Sequence, residues 1–231
     1  MSQPDYLDFC PTLKRMFRNQ LHPNGNELVS LAGCSTENNI HVLRELIRVK
    51  NPTNTLEIGL ANGASALAIL ASLKEFAAGT YQHTAVDPFQ KDFWKSVGLC
   101  SVQSTGLQDR FRFIGQLSSQ ALPRLLEADD RFDLIYVDGS HSYGNVFVDY
   151  YYGVRLLKKN GVILFDDCTT SDVAQVIRFI IRKQKHILRE MDVNPFRNPN
   201  RSWKSKLGNT LGRSQIRAFE KLGDGTGFLD F

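Results

Sequence analysis

The chain has no C-x-x-C pair. Its four cysteines, Cys10, Cys34, Cys100 and Cys168, are scattered through 231 residues. Neither a zinc site nor a disulfide framework is expected, and the pattern suits a reducing compartment. Long apolar runs are also missing. The best, Ala64–Leu73, is internal and well short of the roughly 18–20 residues that a bilayer-spanning helix needs. The opening MSQPDYLDFC lacks a basic flank followed by an apolar run, so no secretory signal is expected and the chain reads as cytoplasmic. There is no internal repeat and no low-complexity tract. With 42% hydrophobic and 23% charged residues, the composition excludes a wholly disordered or collagen-like chain. The length suits one α/β-sized domain.

The net charge of +4 is unevenly spread. From Arg178 to Arg217 there are eleven Lys and Arg against Glu190 and Asp192, a balance of +9 beside a slightly acidic body. Such a segment suits an anionic partner, and equally a solvated helix face followed by a polar loop.

Residues 1–50 read as a helical cap with a role in substrate binding. Ser35-Thr36 starts a helix on which Ile40, Leu43, Leu46 and Ile47 recur at helical spacing. Asn51-Pro52 ends it, since the residue before proline is pushed out of the α region. Residues 51–231 form the main domain. Strands are expected at Thr55–Ile58, His83–Asp87, Arg112–Ile114, Phe132–Val137 and Val162–Phe165. Helices are expected at Ala64–Phe76, Ser119–Leu126, Ser142–Leu157 and Asp172–Arg182, and Gln90–Thr105 reads as irregular and partly helical. This alternation implies parallel strands joined by helical crossovers, hence a doubly wound α/β sheet covered on both faces. His186–Glu190 and Ile216–Lys221 are two further closing strands, giving seven, with an insertion near 191–215. Ligands of such folds gather at the carboxyl ends of the strands.

The first strand runs into Glu57-Ile-Gly59-Leu-Ala61-Asn-Gly63-Ala-Ser65. Glycine permits a tight turn and close ligand approach, and the following helix offers free N–H groups. A purely structural glycine turn fits the same residues, and the dinucleotide pattern G-x-G-x-x-G is absent. Asp87 closes the second strand, where an acid can accept hydrogen bonds from ribose hydroxyls or cap a turn. After the third strand, Gln116 and Ser118 offer hydrogen bonds and Leu117 an apolar face to a purine, while Ser118 or Ser119 also suits a helix cap. The fourth strand ends in Val137-Asp138-Gly139-Ser140-His141 and the fifth in Phe165-Asp166-Asp167-Cys168. Three crowded carboxyls need protons or a cation, and an all-oxygen set suits Mg²⁺ or Ca²⁺. Alternatively, the aspartates cap loops. His141 is placed to act as a general base near neutrality.

Together these motifs, in this order over about residues 52–182, resemble the class I S-adenosylmethionine-dependent methyltransferases, which have a Rossmann-like fold. D-G-x-H-x-Y followed by D-D is similar to the small metal-dependent O-methyltransferases of the antibiotic-sugar and, more distantly, catechol type. The resemblance implies S-adenosylmethionine held by Glu57, Gly59, Ala61, Gly63, Ser65, Asp87, Gln116, Leu117 and Asp138. It implies a divalent metal, Mg²⁺, on Asp138, Asp166 and Asp167. It also implies a small hydroxylated acceptor deprotonated by His141. Some members place an aspartate base where this chain has Ser140. Competing readings are a nicotinamide-dependent oxidoreductase, an RNA-directed methyltransferase gripping phosphates with the basic segment, and a non-catalytic binding protein. Nucleic acid and membrane partners are not expected, and homo-oligomerisation stays open. Aromatics in residues 1–50, around Phe89–Trp94 and in Met191–Gln215 are candidates for acceptor selection.

Overall fold

The computed structural model describes residues 5–20, 33–198 and 214–223. Two helices, α1 (Pro11–Asn19) and α2 (Glu37–Lys50), precede the alternating region. There follow β1 (Asn54–Ile58), α3 (Ala64–Phe76), β2 (Gln82–Val86), α4 (Val97–Gln103), β3 (Phe111–Ile114) and α5 (Ser118–Glu127). Then come β4 (Phe132–Val137), α6 (Tyr143–Leu156), β5 (Leu157–Phe165), α7 (Ser171–Lys183), β6 (Leu188–Met191) and β7 (Arg217–Lys221). The sheet has seven strands in the order β3-β2-β1-β4-β5-β7-β6. β1 to β5 are parallel, and β7 runs antiparallel between β5 and β6. This is the doubly wound seven-stranded fold expected from the sequence.

Period-two alternation divides the core between the two faces of the sheet. Leu56, Ile58, Ile135, Val137, Ile163 and Phe165 pack with apolar residues of α5, α6 and α7. Leu134, Tyr136, Val162 and Leu164 face the other way, towards Leu43, Leu46 and Ile47 of α2 and Ile69 of α3. α1 adds Leu13 and Met16 to a cluster with Ile40 and Leu67.

Two expectations need correction. β5 begins at Leu157 rather than Val162. The polar stretch Lys158-Lys159-Asn160 hides its start, and the register against β4 shifts between Phe132 and Leu134. α2 does end at Asn51, but Asn51 is left-handed (φ 49°, ψ 50°), and its N–H returns to the Ile47 carbonyl. Asparagine tolerates this conformation, so a C-terminal cap ends the helix rather than an extended residue before proline. Most of the expected 191–215 insertion, with Trp203, lies outside the described residues.

The strands β1, β2, β4 and β5 finish in step. Ile58 is level with Val86 and Val137, and Val137 is level with Phe165. The ladder runs one residue further. Gly59 N–H donates to Val86 O (2.9 Å), Asp138 N–H to Ile58 O (2.9 Å) and Asp166 N–H to Val137 O (2.9 Å). Gly59, Asp87, Asp138 and Asp166 therefore stand side by side along one edge.

One polar residue weakens the opposite core. Asp149 of α6 is 1% exposed, and its Oδ1 has no hydrogen-bond partner among the described residues. Burial pushes its carboxyl up to about 6, partly offset by a hydrogen bond from Ser118. The native pKa lies above the unfolded one. The cost is therefore fully present above pH 6 and disappears as pH falls towards 4. A shift of this size corresponds to roughly 3 kcal/mol. Asp149→Asn should raise the melting temperature at pH 8 by several degrees and leave it unchanged near pH 4, as read by thermal denaturation.

Candidate active site

The loop after β1 is shaped by Gly59 and held by Asp87. Gly59 has φ +93°, and a Cβ there would sit 2.2 Å from the Asp138 carbonyl oxygen, so only glycine fits. Ala61 is also left-handed, at φ 45°. Asp87 is 3% exposed. Its Oδ2 accepts from the N–H groups of Leu60 (3.1 Å) and Ala61 (2.9 Å) and from Gln90 Nε2 (3.0 Å). Its Oδ1 accepts from Phe89 N–H (2.7 Å). Gln90 Nε2 also donates to Ala61 O (2.8 Å). The acid after β2 thus ties the glycine loop to the β2–α4 connection. Gly63 is the left-handed cap of α3, and Ser65 is buried in that helix's first turn.

Glu57, two residues before Gly59, is wholly buried, and its Oε1 has no hydrogen-bond partner among the described residues. Gln116 and Leu117 lie on the rim. Gln116 Oε1 accepts from Arg124 (3.0 Å), Leu117 is 47% exposed, and a cavity of about 410 Å³ opens beside Gln116 and Arg112.

At the next strand ends, ligand atoms of Asp138, His141 and Asp167 lie within 4.8 Å of one another. His141 Nε2 is 2.9 Å from Asp167 Oδ2. This pairing raises the imidazole above its ordinary value and holds the Asp167 carboxyl below its own. Burial, then the nearby Asp166 carboxyl, pushes Asp138 well above the carboxylate range. The crowding favours a proton or a cation at this point.

Asp166 sits beside this group with its oxygens engaged. Asn39 Nδ2 donates to Oδ1 (2.7 Å) and Oδ2 (2.9 Å), Asp167 N–H donates to Oδ1 (2.7 Å), and the Tyr136 hydroxyl donates to Oδ2. Four contacts match a carboxylate's usual accepting capacity. Ser35 Oγ donates to Asp138 Oδ2 (2.8 Å) and lies 2.9 Å from the Tyr136 hydroxyl.

Sequence reasoning missed Ser35, Asn39 and Tyr136. A signal existed for Tyr136, a hydroxyl-bearing residue in an apolar strand, two positions before Asp138 and so on the same face. Asn39 and Ser35 carried none, because their partners are 127 and 103 residues away. Ser140 accepts from Asn145 Nδ2 (2.9 Å).

Residues 56–168 match the family described as a methyltransferase domain, and the match opens on β1 and closes just after the Asp166-Asp167 pair. Over that stretch the chain is similar to methyltransferase domains. Over 128 residues, the chain is 30% identical to a putative caffeoyl-CoA O-methyltransferase of Arabidopsis thaliana, covering 55% of this chain and 51% of that one. The chain thus spans about half the length of the curated relatives it matches. An O-methyltransferase from Bacillus cereus, solved with S-adenosylhomocysteine, superposes with a TM-score of 0.62 at 17% identity, over 78% of this chain and 82% of that one. TomG from Streptomyces achromogenes, an O-methyltransferase of tomaymycin synthesis solved with S-adenosylmethionine, gives 0.61 at 14% identity over 96% and 92%. At these identities the structural likenesses show the fold alone.

Proposed function

We propose that the protein is an S-adenosylmethionine-dependent O-methyltransferase acting on a small hydroxylated molecule with the help of a divalent cation. One observation carries this reading: the in-step strand ends place the glycine loop directly beside the Asp138–His141–Asp167 cluster. The relatives' names support the reaction class.

The residues present fit both groups. For the cofactor, Glu57 Oε1 is a buried acceptor lacking a donor among the described residues. For the metal, the donors are hard carboxyl oxygens crowded enough to favour positive charge. Asp138 and Asp167 would hold the ion, and Asp166 joins only by giving up a donor from Asn39, Tyr136 or Asp167 N–H. The bound cofactor supplies an electrophilic methyl group. The cation would lower the acceptor hydroxyl's pKa and fix its direction.

The chain's own residues do the rest. Glu57 and the N–H groups at the start of α3 orient the cofactor's charged end. Asp87 keeps the loop in its binding shape. His141, held by Asp167 through Nε2, takes the acceptor proton on Nδ1. Phe89 and Phe93 are 55% and 70% exposed, and Trp94 packs against Gly33. These aromatics suit an acceptor with an apolar ring.

The RNA-directed reading has less support. Within the basic segment, Arg189 pairs with Glu220 and Arg217 with Glu190, while Arg201, Lys204, Lys206 and Arg213 lie outside the described residues. Among the described residues no helix is long and apolar enough to cross a membrane.

Radiolabelled methyl transfer to a panel of catechols, hydroxycinnamoyl thioesters and sugars tests the proposal. Chelation should reduce turnover at least tenfold, and added Mg²⁺ should restore it. Full activity after chelation removes the metal from the reading. Failure to bind S-adenosylhomocysteine by calorimetry removes the cofactor, and labelling of RNA instead of small acceptors favours the alternative.

A further inference from the structure

His83 has no part in the mechanism above, yet it occupies an unusual position. Its ring is wholly buried on β2, and Thr55 and Glu57 are equally inaccessible on β1. Thr55 is level with His83 in the parallel ladder, and Glu57 is two residues further along the same face. Thr55 Oγ1 lies 2.9 Å from His83 Nδ1, and His83 Nε2 lies 3.3 Å from Glu57 Oε2. The Thr55 hydroxyl also lies 3.4 Å from Gln82 O, but its contact with Nδ1 is the shorter, and with the hydroxyl donating there the ring presents its Nε2 proton to Glu57.

The three residues form a line ending at a carboxyl group with one oxygen tied and the other without a partner among the described residues. The backbone ladder already joins β1 and β2 over five residue pairs, so the line is not needed to hold the strands together. A buried polar atom without a partner is costly, and it persists where a ligand supplies the missing donor. Glu57 leads directly into the Gly59 loop.

We propose that His83, backed by Thr55, is a positioning residue that fixes Glu57 so that Oε1 receives the primary ammonium group of an amino-acid moiety on the bound cofactor. The inference rests on the cofactor reading given above, and it adds the device that aims the acid.

Two ligands separate an aiming role from a structural one. S-adenosylhomocysteine carries the ammonium group, whereas 5′-methylthioadenosine keeps the nucleoside and thioether without it. Calorimetry on the full chain, with no acceptor present, should show His83→Phe weakening S-adenosylhomocysteine about tenfold or more. Affinity for 5′-methylthioadenosine should stay within about twofold. His83→Gln, whose amide still donates to Oε2, should recover most of the loss. Thr55→Val should show the same selective pattern at smaller size, and it carries the test if His83→Phe does not fold. Equal loss for both ligands, or no loss for either, in folded variants overturns the proposal and leaves the cofactor reading intact. If the unaltered protein binds neither ligand, the cofactor reading falls and this inference with it.

Discussion

Replacing His141 by alanine should lower kcat by about 10²–10⁴-fold, the range lost when a positioned general base is removed. Affinity for S-adenosylhomocysteine should not change, because the loop around Gly59 and the acid Glu57 are untouched. The pH profile gives a second readout. Asp167 raises the imidazole above its ordinary value, so less of it is in the accepting form at neutrality. Activity should therefore rise with pH along a limb centred above the usual imidazole range. Asp167→Asn removes the carboxyl responsible, and the limb should move down. A His141→Ala variant of near-normal kcat, or a limb that ignores Asp167, would assign the proton to another acceptor.

The second large effect is expected at Gly59. A methyl group there meets the Asp138 carbonyl oxygen at 2.2 Å and the Gly139 Cα at 2.9 Å, both backbone atoms that no rotamer can move. The φ of +93° adds strain for any L side chain. Gly59→Ala should cost about 3 kcal/mol or more. For a chain of this size that is a fall of roughly 6–12 °C in Tm. Cofactor binding should be lost with it, since the displaced groups are the loop itself and the acid cluster beside it. Gly79, with open space around it, is the control: alanine there should leave both readouts unchanged. Comparable losses at the two glycines would mean that the strand ends do not approach as closely as described.

Much of this arrangement was legible in advance because it depends on short-range patterns. The apolar run of β4 and the alanine-rich α3 declare themselves within a single element. Glycines between a strand and a helix mark a loop without knowledge of the rest of the chain. What stayed hidden depends on contacts distant in sequence. Asp87 presented itself as an acid at a strand end, suited to a ribose or to a turn. Only the folded chain shows the glycine loop's own N–H groups on its oxygens. Likewise, Asp138, Asp166 and Asp167 are alike on paper. Burial against Asn39 and Tyr136 separates Asp166 from the other two. The start of β5 was obscured because exposed lysines carry no apolar signal, although the backbone pairs all the same.

The hydroxyl of Ser35 and the amide of Asn39 come from outside the matched stretch 56–168. A transplant of that stretch into a foreign chain would deliver the loop and all three aspartates. It would leave one acid stripped of its amide clamp and another of its hydroxyl neighbour. The acids at these strand ends therefore depend on the segment that leads into α2 and on its first turn, and changes there should retune them.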